Sequence, residues 1–152
     1  GEGTMTYLPQ NKIKEYRDAN KPISCPILDI KTSDWVLDHD HQTGLVRGVI
    51  SRQANSLLGK VENFFLKMCK GRKEDLPNTL EAMAAYLERE ELDVLHPVGL
   101  TQLTKKFANS LTAAEQIAEL KAIGGSKAEI EACTNLKHRK ELFRKLTKSK
   151  YE

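Results

Sequence analysis

The sequence predicts a mainly α-helical protein with one small β-hairpin, and three observations lead there. β-prone residues gather in two short runs, Trp35-Val36-Leu37 and Leu45-Val46-Arg47-Gly48-Val49-Ile50, with the turn signal His41-Gln42-Thr43-Gly44 between them. Apolar residues then recur at helical spacing directly after the second run and again through most of the remaining chain. With 152 residues, 39% apolar and 30% charged, the chain has a folded, globular composition. That length suffices for one domain, or for two small ones sharing a core.

Gly1 to Thr4, ahead of Met5, reads as an expression scar and is set aside. Residues 12–19 have helical composition, and Pro22 and Pro26 interrupt the chain before the hairpin. Ser51 can cap the next helix, whose apolar stripe is Leu57, Leu58, Val61, Phe64, Phe65 and Met68, ending at Gly71. A second long helix follows the break at Asp75 to Pro77, marked by Leu80, Met83, Ala84 and Leu87. After His96-Pro97-Val98-Gly99, helical patterns cover 101–109, 112–123, 126–134 and 137–147, with Gly124-Gly125 as a break. Trp35 and the Phe64-Phe65 pair read as core, His96 as a loop-packing residue, and His138 as part of a basic face. No repeat or low-complexity tract is present.

No apolar run approaches the roughly 20 residues that span a bilayer, and no signal peptide opens the chain, so it reads as an intracellular protein without a membrane partner. The net charge of +3 is weak in total but uneven in distribution. Lys137, Arg139, Lys140, Arg144, Lys145, Lys148 and Lys150 face one acid, Glu141, within a short stretch. Such a cluster either contacts phosphates or forms a solvated helix end favoured by the macrodipole. Cys25, Cys69 and Cys133 are far apart and form no C-x-x-C pair, which reads as reduced thiols.

Beside the turn stand Asp38, His39, Asp40 and His41 in one run, then Arg47 and Gly48, then Asn55 near a helix start. A hard divalent ion takes oxygen ligands and keeps several waters, so one carboxylate and one amide carbonyl, completed by a substrate phosphate, make a sensible site. Asp38 and Asn55 fit those roles, and Asp40 is a further candidate ligand. His39 is the candidate general base, because imidazoles in general titrate near pH ~6.5. His41 could position phosphate or water, and Arg47 could clamp a phosphate through its planar fork. Together these groups would build a divalent-metal phosphodiesterase site. Each also has a structural reading: the acids as turn stabilisers, the imidazoles as hydrogen-bonded groups, Asn55 as a helix-start amide, Arg47 as a surface charge. One geometric condition applies. Neighbours on a regular strand point to opposite faces, so Asp38 and His39 share a site only if the strand ends, bulges or twists there.

Leu37-Asp38-His39-Asp40-His41, with Thr43-Gly44, Val46-Arg47-Gly48 and Asn55, resembles the recombination endonuclease VII family of bacteriophages, Holliday-junction resolvases of the ββα-metal (His-Me finger) class. Residues 12–20 resemble that family's opening helix, His96-Pro97 a loop after its long helix, and 107–120 part of its C-terminal region. The resemblance implies a metal-dependent endonuclease that cuts branched DNA by paired incisions, using Mg²⁺ or Mn²⁺. It implies Asp38 and Asn55 as ligands and His39 as base. It further implies a ββα-metal nuclease domain over 5–73, a helical dimerisation and C-terminal DNA-binding region over 74–152, and an intertwined homodimer. Lys137, Arg139, Lys140, Arg144, Lys145 and Lys148 would then meet DNA, in the host cytoplasm if the protein is phage-encoded.

Two departures qualify this. Better-known relatives hold a structural zinc with two C-x-x-C pairs, where this chain reads Cys25-Pro26-Ile27-Leu28 and Ser51-Arg52-Gln53-Ala54. One thiol of four cannot hold zinc tetrahedrally, so no structural zinc is expected and Leu28 and Ala54 should fill the space as apolar packing. The third residue after the asparagine, often acidic in such nucleases, is Leu58. The alternatives are a nicking or sequence-specific HNH-type endonuclease, and a non-catalytic protein that binds DNA or a partner with the same core.

Overall fold

The computed structural model describes residues 6–152, so the presumed expression scar lies outside the described residues. The chain divides into two compact units between Glu88 and Arg89. Each has its own hydrophobic cluster.

In the first unit a 3₁₀ turn, Gln10–Lys12, runs into α1 (Ile13–Asn20), followed by a two-stranded antiparallel hairpin of β1 (Trp35–His39) and β2 (Val46–Ser51). Pairing is regular from Trp35 opposite Ser51 to Asp38 opposite Gly48, then jumps to His39 opposite Val46. Arg47 is the extra residue, so the bulge that a shared Asp38–His39 site requires is present. Gly44, at φ 76°, supplies the left-handed residue of the turn, and its N–H donates to the Asp40 carbonyl at 2.7 Å.

α2 (Arg52–Met68) begins at Ser51, whose Oγ accepts from the Ala54 N–H at 3.1 Å. Cys25, Trp35, Val49, Ile50 and Ala54 form the core, with Leu28, Ile30, Leu37 and Leu58 packed against it. The 17 residues of α2 span about 25 Å, further than a hairpin of five- and six-residue strands can cover. Its second half therefore outruns the sheet. This corrects the reading of Phe64 as core, since it is 61% exposed, while Phe65 is half-buried against Gly71. α3 (Leu76–Leu87) buries Leu76 but leaves Leu80, Met83 and Leu87 exposed.

The second unit is all helix: α4 (Pro97–Ser110), α5 (Ala113–Ala122), α6 (Lys127–Glu131) and α7 (Leu136–Ser149). Every helix start has a side-chain cap. His96 Nδ1 accepts from the Val98 N–H at 3.0 Å with Pro97 at the first helical position, so this histidine caps a helix. Thr112 with Glu115, and Ser126 with Glu129, form reciprocal capping boxes, and Asn135 caps α7. α5 stops at Gly124, φ 99°, where Gly125 N–H donates to the Leu120 carbonyl and Gly124 N–H to that of Lys121, which closes the orphan carbonyls in a Schellman motif.

α7 packs on α4, α5 and α6 around Phe107, Leu120, Leu142 and Phe143, the two phenyl rings stacking at 4.4 Å. Buried Gln116 donates from Nε2 to the carbonyls of Phe107, Ala108 and Leu111 and so satisfies the end of α4. Among the described residues, no helix is long and apolar enough to cross a membrane.

Candidate functional site

The hairpin end and α2 carry the groups that the sequence singled out. Asp38 lies on β1 opposite Gly48 and is only 6% exposed. A buried carboxylate needs partners, and the bulge provides one: Arg47 Nε donates to Asp38 Oδ2 at 2.7 Å and Nη2 to Oδ1 at 3.1 Å. The same guanidinium reaches α2, with Nη2 3.1 Å from Glu62 Oε1 and Nη1 3.4 Å from Oε2. Asp38 first, then Glu62, hold the Arg47 guanidinium more firmly protonated than usual.

Glu62 also faces Lys73, whose Nζ lies 3.5 Å from Glu62 Oε2 and 2.7 Å from Asp40 Oδ1. The Lys73 nitrogen is buried and ion-paired without a well-angled hydrogen bond. Asp40 Oδ1 additionally accepts from the N–H groups of Gln42 and Thr43, at 2.7 and 3.1 Å. Lys73 and then these two amides hold the Asp40 carboxyl well below the usual carboxylate range. The outcome is an alternating chain, Asp38–Arg47–Glu62–Lys73–Asp40, that ties both strands, α2 and the segment after α2 together. A cleft of about 390 Å³ runs beside it, with Leu58, Leu76 and Leu80 on its apolar side.

His39 is exposed next to this partly buried chain, its ring 5.0 Å from that of His41 and tilted by 40°. Asn55 sits half-buried in the first turn of α2. Ser51, not Asn55, caps that helix, and the Asn55 carboxamide takes no hydrogen bond among the described residues. The structure thus brings Asp38 to Arg47, His39 to His41, and Asp40 to the turn and Lys73.

The donor set suits some ions and not others. Among the described residues, no three His, Cys, Asp or Glu side chains are grouped to hold a metal. A carboxylate with spare lone pairs and an unengaged carboxamide are nevertheless hard oxygen donors, the sparse set that Mg²⁺ or Mn²⁺ accepts when substrate and water complete its shell. A soft tetrahedral zinc has no such fit. Cys25, Leu28, Ser51 and Ala54 do converge in the core, but with one thiol among them. Leu28 and Ala54 pack as apolar groups there. Burial raises the Cys25 thiol, whereas the Ser51 hydroxyl and the N–H groups of Leu28, Ser51 and Ile27 outweigh it and draw it down to about 7.

The basic helix has a graded character. Lys137, Arg144, Lys145 and Lys148 are exposed on α7, while Arg139 and Lys140 are half-buried. Arg139 donates from Nε to Gln116 Oε1 at 2.7 Å, and Lys145 pairs with Glu129 at 3.4 Å. Sequence reading missed Glu62 and Lys73. One signal was available: Glu62 falls among Ala54, Leu58, Val61 and Phe65 on the covered stripe of α2, where an acid requires a cation.

With the geometry in place, comparison with known proteins adds one positive finding: a family model described as recombination endonuclease VII matches residues 4–89. No curated protein matches the chain.

Proposed function

Because the chain belongs to the recombination endonuclease VII family, whose members are Holliday-junction resolving nucleases, we propose that it is a metal-dependent, structure-selective endonuclease that resolves branched DNA by paired incisions. The observation that carries the reading is a buried carboxylate, Asp38, at a strand bulge beside an exposed imidazole, His39, with the free carboxamide of Asn55 on the adjoining helix.

Asp38 and Asn55 would hold Mg²⁺ or Mn²⁺, which when bound supplies charge neutralisation at the phosphoryl oxygens and the departing 3′ oxygen. His39 accepts the proton of the attacking water on a ring nitrogen, and its exposure gives solvent and substrate access. His41, whose ring lies 5.0 Å from that of His39, would position the phosphate or the attacking water. Arg47 orients Asp38, and its remaining Nη1 donor is available to a phosphate oxygen. Asp40 holds the turn that positions His39 and His41.

Two cuts in opposed strands call for two sites related by a two-fold axis. The exposed apolar side chains Phe64 and Met68 on α2, with Met83 and Leu87 on α3, support a homodimer as the active form. Lys137, Arg144, Lys145 and Lys148 would contact backbone phosphates, which positions DNA without reading its bases.

The test is a synthetic four-way junction incubated with and without Mg²⁺, beside Asp38→Ala and His39→Ala. Paired incisions by the parent alone, with junction binding retained by both variants, are expected. Undiminished cleavage by His39→Ala removes that residue as base, and preference for one linear sequence favours the HNH-type alternative. One observation favours the non-catalytic alternative: both Asp38 oxygens are engaged by Arg47. Junction binding without cutting in any divalent metal would establish it.

A further inference from the structure

Two carboxylates share one guanidinium at this site. Asp38 is buried and takes the Nε and Nη2 donors of Arg47, while Glu62, from a different element, takes Nη2 and Nη1. Glu62 is itself largely covered, and its second partner, Lys73, is a buried ammonium shared with Asp40. Arg47 thus stands between an acid that the proposed function needs for a divalent ion and an acid that this function does not use.

Electrostatics makes the arrangement directional. A divalent cation and a guanidinium on the same carboxylate repel each other at close range in a poorly hydrated setting. The Arg47 side chain keeps 32% of its exposure, so a guanidinium displaced there would stay partly hydrated but would lose its charge-assisted bonds to Asp38 unless another carboxylate received it. Glu62 already accepts from both terminal nitrogens of Arg47, so rotation of the fork frees Asp38 without stranding the cation. Lys73, held in turn by Asp40, keeps the Glu62 carboxylate beside the hairpin.

We propose that Arg47 is a removable counter-ion of Asp38 and that Glu62 is the positioning residue that receives it, so that metal entry is coupled to transfer of the guanidinium from Asp38 to Glu62. The inference rests on Asp38 being a metal ligand, and it assigns Glu62 a role through Arg47, not as a ligand of its own.

Mn²⁺ titration of the whole 152-residue chain, followed by the paramagnetic resonance signal of free Mn²⁺ and needing no substrate, tests it. The proteins are the parent, Asp38→Asn, Arg47→Gln, Glu62→Gln and the double variant Arg47→Gln/Glu62→Gln. Thermal melting in chelator verifies that each is folded, and Arg47→Met, which also removes both charge and fork, replaces Arg47→Gln in the single and double variants if that side chain does not fold. Coupling between sites is commonly about 5- to 150-fold, so Arg47→Gln should tighten Mn²⁺ about fivefold or more and Glu62→Gln should weaken it by a similar factor. With Arg47 already removed, Glu62→Gln should change affinity less than about twofold, the mark of an effect transmitted through Arg47. Equal weakening in both backgrounds would mean that Glu62 acts by its own charge or as a ligand, and overturns the inference. So does a failure of Arg47→Gln to tighten binding. Mn²⁺ binding unaffected by Asp38→Asn would instead remove the ligand assignment on which the inference stands.

Discussion

The two units differ in what their most specific polar contacts do: in the second they start helices, and in the first they join elements. In the second unit the helix starts are satisfied within four residues: Val98 by His96, Glu115 by Thr112, Glu129 by Ser126 and His138 by Asn135. In the first, partners come from far along the chain: Asp38 with Arg47, Arg47 with Glu62, Asp34 with Arg52, and Cys25 with Ser51. Helix starts that are satisfied locally specify the helices segment by segment, and the longer-range pairs of this unit, Arg139 with Gln116 and Lys145 with Glu129, join helices already so defined. A unit built on distant pairs has a specific site only once it is folded, which suits a place where charges must converge.

The largest expected effects test that contrast in the two cores. Trp35→Ala removes the aromatic that holds the hairpin to α2 and should cost about 3–5 kcal/mol. Leu120→Ala, at a fully buried position of the second core, should cost about 2–5 kcal/mol. Urea unfolding followed by far-UV circular dichroism gives both numbers. The contrast breaks if Leu120→Ala erases as much helical signal in water as it loses in stability, because locally capped helices should keep much of theirs.

Next in size is the effect on DNA. If α7 meets phosphates, replacing Lys137, Arg144 and Lys148 together by Gln should make the dependence of log K on log salt shallower by about 2 to 3, at about 0.9 per phosphate contact. Filter binding of a four-way junction across a salt series measures the slope. Arg139→Gln should change it little and destabilise the fold instead, because its Nε is committed to Gln116. A reversed order, with Arg139 dominating the slope, would overturn the assignment of that residue to the helical packing.

Two serine and threonine caps sharpen the comparison further. Thr112→Ala removes a local cap and should cost about 1 kcal/mol. Ser51→Ala removes a cap of the same chemistry, but Ser51 also donates to Cys25 across the core. It should therefore cost about 1–3 kcal/mol more than a cap alone, the penalty of a buried group losing its partner. Equal losses in thermal denaturation would show that the long-range bond contributes nothing.

The same distinction explains what could be read from the sequence. Hairpin, bulge requirement, helix breaks and the Gly124 stop were legible because each is written in neighbouring residues. So was the convergence of Cys25, Leu28, Ser51 and Ala54, which follows from pairing one family pattern with its substitutions. Phe64 was misread as core because helical spacing reports a face but not how far the covering sheet extends. The engagement of Asp38 by Arg47, and of both Asp40 and Glu62 by Lys73, was not legible. The Asp38–Arg47 pair depends on which residue the bulge adds to β2, and the Lys73 pairs on how α2 and the segment after it lie on the hairpin, neither of which a local pattern encodes.

The smallest expected effect concerns acid. Glu115 is held below its usual range by the Thr112 backbone N–H and then by the Thr112 hydroxyl. Glu129 is lowered by the backbone and side chain of Ser126 and then by Lys145. Both carboxyls therefore bind protons less readily when folded than when unfolded, and the unfolded chain takes up more protons as pH falls through the carboxylate range. Their contribution is complete above the unfolded value, near pH ~4.3 for a glutamate, and is lost as pH drops through the lower folded value. Glu115→Gln/Glu129→Gln keeps a hydrogen-bond acceptor at both capping boxes but removes the titration. Thermal melts from pH 6 downward should show the parent losing more stability below about pH 4.5 than this variant does. Half a molar salt should leave the Glu115 share of that difference largely intact, since amide donors and not a distant cation lower it, and weaken the Glu129–Lys145 share. Parallel acid curves for parent and variant would show that the local boxes are not what the second unit relies on.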